Sequence, residues 1–128
     1  MTMNLSVLLS GITAGIILFQ TAVIAPTVFR GLGPDHAGPF LRKVFPTFFV
    51  FIAVLGLLTL GSAVTNDLIL QSWIGGVTAL FAICAYMIIP RTNKARDEGH
   101  EKSFKRLHNA SVIMTVAMLL INLSSGFI

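Results

Sequence analysis

The chain is short of charge and has almost no cysteine, and both shortages limit what it can be. Only 11% of its 128 residues are charged, against about 25% in an ordinary soluble domain. The single cysteine, Cys84, excludes an intramolecular disulfide and leaves the redox compartment open. No His-x-x-x-His, paired Cys or Cys/His spacing marks a closed zinc site, so neither a metal nor a cofactor is expected. Ser62 and Ser111 have no acid–base pair nearby, which leaves nucleophilic catalysis without support, and the chain reads as a non-enzyme. The four long apolar runs contain no Asp, Glu, Lys or Arg. Such buried charges are the usual mark of a proton relay or ion-coupled pump, so a pump is disfavoured.

Those apolar runs are what the chain does have. They cover approximately residues 5–29, 44–64, 68–89 and 107–128. Each supplies the ~20 residues that a helix rising ~1.5 Å per residue needs to cross a ~30 Å hydrocarbon layer. The basic residues are confined to two of the three links. Arg30, Arg42 and Lys43 lie between runs one and two, and Arg91, Lys94, Arg96, Lys102, Lys105 and Arg106 between runs three and four. The Thr65–Asp67 link and both ends carry none. Positive charge resists translocation, so both basic links are expected in the cytoplasm and both termini outside. The expected fold is all-α: one domain, an antiparallel four-helix transmembrane bundle with both termini on the non-cytoplasmic side. The expected location is a bacterial inner membrane or its equivalent. A net charge of +4 then points to anionic lipid head groups, each basic residue near the surface contributing about 1 kcal/mol, and not to nucleic acid. Met1–Ser6 carries no positive charge and no small-x-small site follows, so a cleavable signal is not expected.

Prolines and glycines punctuate the runs. Pro26 has no N–H for the Ala22 carbonyl, so the first helix should loosen in its last turn. Gly31–Pro39, with three glycines and two prolines, reads as a turn region. Pro46 falls in the expected opening turn of the second helix, and Pro90 is expected to close the third. Thr65-Asn66-Asp67 reads as a tight turn. Glu98 and Glu101 each precede a lysine by four residues, predicting a helical extension over Glu98–Arg106 that runs into the fourth helix. Gly11, Gly15 and Ala22 on the first helix, Ala53 and Gly56 on the second, and Gly75, Gly76, Ala79 and Ala82 on the third are small residues that let helices approach closely.

The last run carries a polar stripe. His108, Ser111, Thr115, Met118, Asn122 and Ser125 are spaced as one helical face. Such a face should turn to other helices, either for hydrogen bonding between them or as the lining of a ligand pocket or conduction path. His108 stands at the level where Pro26, Pro46 and Pro90 disturb the other helices. With Arg30, Arg42, Lys43 and Arg91 it would form an electropositive vestibule, the candidate ligand site together with Ser111. The plainer reading makes His108 a helix-boundary residue and the basic residues topology anchors. His36 and His100 read as solvated. Cys84, Met87, Met114 and Met118 are soft ligands that double as ordinary gap-fillers.

Three segments also carry a resemblance. Leu41–Phe49 (LRKVFPTFF), Ile89–Asn93 (IPRTN) and Phe104–Ser111 (FKRLHNAS) resemble, in order, helix-boundary motifs of the transmembrane-protein-205-like family. The link between helices three and four is shorter here than in eukaryotic members. The resemblance implies a four-helix membrane architecture without an assigned reaction, and marks Phe45, Pro46, Pro90, Arg91, His108 and Ser111. The function expected from sequence is therefore non-enzymatic: a homo-oligomer that binds or passes a small solute near the His108 level. The alternatives are an accessory subunit of a larger membrane complex, or a cofactor- or soft-metal-binding membrane protein.

Overall fold

The computed structural model describes residues 4–128, so the expectation about the first three residues of a signal segment lies outside the described residues. Helix α1 (Leu5–Phe19) begins at Asn4, whose side-chain oxygen accepts from the Val7 N–H at 3.3 Å. A π turn over Gln20–Ile24 joins it to α2 (Ala25–Leu32). In that turn the Ala25 N–H donates to the Gln20 carbonyl, five residues back. Pro26 has no N–H, and the widened turn takes up the mismatch just ahead of it. The expected loosening is real and lies before the proline.

Gly33 alone separates α2 from α3 (Pro34–Thr65). Its φ of 73° and ψ of 167° suit a residue without a Cβ. This corrects the expected turn over Gly31–Pro39. Pro34 opens α3 with its φ preset for a helix, and Asp35 in the first turn complements the N-terminal dipole. Pro39 and Pro46 both lie inside α3, so the expectation that Pro46 sits in an opening turn is also corrected. Their rings free the Asp35 and Arg42 carbonyls without stopping the helix.

The Asn66–Leu68 link is as tight as expected, with Asp67 at φ 57°. Helix α4 (Ile69–Asp97) passes through Pro90 and does not end there. Its true end is at Gly99, with φ 73°. There the Gly99 N–H donates to the Arg96 carbonyl at 3.2 Å and the His100 N–H to the Ala95 carbonyl at 2.9 Å. Helix α5 (Glu101–Ser124) starts after this turn, so Glu98–His100 is not part of the predicted extension. Glu98 faces His100 at 3.3 Å instead of Lys102. A 3₁₀ turn over Ser125–Phe127 follows α5.

Four helical segments, Leu5–Leu32, Pro34–Thr65, Ile69–Asp97 and Glu101–Phe127, are long and apolar enough to cross a membrane. The second, at 32 residues, is about 48 Å long at ~1.5 Å per residue, so its charged end extends past the ~30 Å hydrocarbon layer. The distribution of side chains agrees. Leu57, Trp73, Met87 and Leu120 are exposed, whereas Ser6, Ser10, Thr13, Thr59, Thr78 and Asn122 are buried. Apolar surface outside and polar groups gathered inside suit a hydrocarbon surrounding.

The packing is closest between α3 and α4. A Cβ on Gly56 would stand 2.7 Å from the Ala79 nitrogen, and one on Gly75 only 2.5 Å from the Leu60 nitrogen. Both neighbours are backbone, which cannot move aside. Ile17, Phe48, Phe49, Ile52, Leu55, Ala82, Ala85 and Met118 form the apolar core beside this crossing. Gly11, Gly15 and Gly76 have no atom within 4 Å of a Cβ position, which corrects their expected role in packing within the chain. Helix α1 instead turns Ser6, Ser10, Thr13 and Ile17 inward.

Gly75→Ala should therefore destabilise the fold by about 1–3 kcal/mol through overpacking. Gly76→Ala should be neutral or add up to about 1 kcal/mol through helix propensity. Thermal unfolding of the two variants in the same detergent checks the contrast.

Candidate ligand cleft

The α5 stripe turns inward as its spacing implies. Thr115, Met118, Asn122 and Ser125 are buried, Ser111 is half-buried and His108, at the stripe's end, is exposed. The Asn122 side-chain amide donates to the Thr78 hydroxyl at 2.9 Å and to the Met118 carbonyl at 2.7 Å. The Ser6 hydroxyl donates to Ser62 at 3.3 Å. Thr13, Thr59 and Thr115 each satisfy themselves on the carbonyl four residues back, at 2.8, 2.9 and 2.7 Å. Ser10 Oγ, Gln20 Nε2 and Ser125 Oγ are buried without a protein partner. The inward polar stripe of α1 and the π turn, Ser6, Ser10, Thr13 and Gln20, was missed from sequence, although its +4, +3, +7 spacing is a helical face.

Toward the basic end the helices open into a cleft of ≈ 410 Å³, within the range of roughly 300–1,000 Å³ usual for small-molecule sites. Every helix contributes to it. Ile17 and Thr21 come from the first segment, Phe29 from α2, and Leu41, Arg42, Phe45 and Phe49 from α3. From α4 come Ile89, Thr92, Asn93 and Arg96, and from α5 Phe104, His108, Ser111, Thr115 and Leu119. A second groove of ≈ 460 Å³ beside Trp73 and Leu60 is apolar apart from Ser72, whose hydroxyl is already bonded to the Leu68 carbonyl at 2.8 Å.

Charge gathers at the mouth of the cleft. Arg42 makes a two-pronged hydrogen-bonded ion pair with Asp97, one contact at 3.1 Å. The hydrogen bond to Arg42 is the main reason the Asp97 carboxyl is held below its ordinary range. The same bond raises the Arg42 guanidinium. Arg96 lies over the Phe104 ring, 5.6 Å from its centroid, and Phe104 stacks on His108 at 5.6 Å and 14°. Phe45, Phe48 and Phe49 cluster beneath, with centroids 5.1–6.1 Å apart, Phe45 stacked on Phe49 and edge-on to Phe48.

Of the sequence-derived vestibule, the cleft therefore gathers His108, Ser111 and Arg42, with Phe45 and Thr115. Arg30, Lys43 and Arg91 are exposed and are not part of its walls. Neither are Pro46, Pro90, Asn122 and Ser125. Thr92, Asn93, Arg96 and Phe104 are the residues that the sequence reading missed. Ile89, Thr92, Asn93 and Arg96 follow helical spacing, a signal hidden by the assumption that Pro90 ended the helix. The soft-ligand candidates are divided: Cys84 and Met87 are exposed, Met114 is half-buried and Met118 is fully buried. His36 and His100 are exposed as expected, although His36 lies within α3.

A family model described as a domain of unknown function, DUF4149, matches residues 8–101. The chain belongs to the DUF4149 family. No curated protein and no solved structure matches it. The DUF4149 match contains Arg42, Thr92, Asn93 and Arg96 and stops before His108 and Ser111.

The depressed Asp97 carboxyl gives the DUF4149 chain a pH signature. Its stabilisation is fully present above the unfolded value of 3.8 and is lost as pH falls through the lower native value. Both partners are exposed, so the effect is small and salt-sensitive. Asp97→Asn should lower the Tm slightly at neutral pH, and its difference from wild type should vanish in strong acid. Paired melting curves across pH check this.

Proposed function

We propose that this protein is a non-enzymatic integral membrane protein that binds or passes a small solute through the cleft at the His108 level. The observation that carries the reading is the cleft itself, where polar groups from three helices meet over an aromatic floor. Contacts between neighbouring helices support an antiparallel bundle around it. Arg42 faces Asp97 and Gly56 faces Gly75 between α3 and α4, while Arg96 faces Phe104 and Thr78 faces Asn122 between α4 and α5. In each pair of helices one number rises as the other falls. The grouping of basic residues in two links supports a cytoplasmic cleft mouth and outward termini, as in a bacterial inner membrane. The resemblance to the transmembrane-protein-205-like family is compatible, since three of its marked positions, Phe45, His108 and Ser111, line the cleft.

A second reading is favoured by one feature of α1. Gly11 and Gly15 are exposed with open space over both, a close-approach face that no helix of this chain occupies. It suits self-association or attachment as an accessory subunit of a larger membrane complex.

Native mass spectrometry of protein extracted gently from its own membrane separates the readings. A retained small molecule supports the cleft, and His108→Ala should weaken its retention about tenfold, the effect of losing one charge-assisted hydrogen bond. A ligand-free chain in stoichiometric association with other proteins would overturn the solute reading in favour of the accessory subunit.

A further inference from the structure

The distribution of polarity within the cleft identifies the class of molecule it would take. Arg42, Asn93, Arg96 and His108 occupy one level, whereas Phe49, Ile89 and Leu119 lie deeper. The seven residues from Arg42 to Phe49 span about 10 Å of helix and the eleven from His108 to Leu119 about 16 Å. The space is therefore elongated, polar at one end and apolar at the other. Two guanidinium groups line it and no carboxylate does. Asp97, the acid paired with Arg42, is not part of its walls. A cation would meet only positive charge there, and a wholly apolar molecule would desolvate the guanidiniums without compensation. Phe29, Val112 and Val116 line the cleft while remaining substantially exposed at the outer surface. These apolar residues give the cleft an accessible apolar wall suited to an alkyl chain.

We propose that the cleft binds an anionic amphiphile, its acyl chain along the Phe49–Leu119 depth and its head group between Arg42, Arg96 and His108. This assignment rests on the reading of the cleft as a binding site. The shared chemistry is a carboxylate or phosphate on an alkyl chain, which a free fatty acid and an acidic phospholipid both offer. Arg96 supplies the head-group contact that can still be made. It has a ring beneath it, whereas Arg42 already holds Asp97 on two bonds.

Gly38 provides the control. It lines the cleft within α3, and a Cβ there would meet nothing within 4 Å. Gly38→Leu should therefore place its side chain in the cleft; because it precedes Pro39 inside the helix it should lower the Tm modestly, so a melting curve confirms folding before binding is read. The experiment is a native mass spectrometry titration of the full chain in detergent with phosphatidylglycerol, phosphatidylcholine of identical chains, and oleate. The expected result is binding of phosphatidylglycerol or oleate at least tenfold tighter than phosphatidylcholine, a tenfold loss in Arg96→Gln, and no binding in Gly38→Leu. Preference for oleate assigns the free fatty acid, and preference for phosphatidylglycerol the bilayer lipid. Equal affinity for the anionic and zwitterionic lipids overturns the proposal. If Gly38→Leu still expels a neutral or cationic molecule retained from the native membrane, the cleft remains a binding site and only the anionic assignment falls. If a well-folded Gly38→Leu changes the retention of no molecule, the cleft reading itself falls.

Discussion

Contact of backbone with backbone between α3 and α4 at Gly56 and Gly75 governs the rest of the structure. At that crossing there is no room for a Cβ, so backbone meets backbone with no side chain between. Away from it, the side chains decide the spacing. Toward the Asn66 turn the interior consists of Ser6, Ser10, Thr59, Ala63 and Thr78, small groups that let α1 and α5 close in. Toward the basic end it holds Phe45, Phe48 and Phe49, whose rings take far more room. The cleft lies at this end, with Phe45 and Phe49 in its wall. The π turn at Gln20–Ile24 lies beside it and contributes Thr21 to its wall.

Interior polarity follows from the same arrangement. Small residues bring helices close but leave little apolar area to bury, and in lipid such burial would drive association only weakly. The tight end relies on hydroxyl and amide groups. Two of these, Thr13 and Thr59, are threonines bonded to their own helix. The Asn122 amide to Thr78 and the Ser6 hydroxyl to Ser62 instead link neighbouring helices. A threonine bonded within its helix fills space without demanding a particular neighbour. The two cross-helix bonds fix register, each at an energy of about 0.6 kcal/mol in membrane proteins.

Sequence periodicity revealed the four membrane-length segments, the tight link at Asn66 and the inward face of α5, since apolar length and helical spacing are properties of the chain alone. It failed at Pro39, Pro46 and Pro90. A proline in a helix interior costs about 3 kcal/mol, yet each of these lies in the half of its helix toward the basic end, where a freed carbonyl is closer to water and lipid head groups. Breaking the helix in the same place would have exposed several more backbone groups in hydrocarbon. The glycines of α1 failed for a different reason. Gly11 and Gly15 lie on one face, Ser6, Ser10, Thr13 and Gln20 on another, and spacing alone does not say which packs inward. The misreading of Pro90 then concealed Thr92, Asn93 and Arg96, and with them half of the cleft's polar rim.

That rim divides its work between two arginines. Arg42 joins the beginning of α3 to the end of α4 through Asp97, which fixes the distance between two walls of the cleft. Its charge is largely answered by that carboxylate. Among the described residues the other close acid–base contact is Glu98 with His100, so Arg96 has an aromatic face, Phe104, where Arg42 has an acid. A guanidinium on a ring keeps its hydrogen-bond donors in the ring plane available at the edges. Phe104 in turn stacks on His108, so a group that moved Arg96 would be felt at His108 through the ring between them. Arg42 thus sets the shape of the mouth, and Arg96 with its aromatic column supplies the charge that the mouth presents.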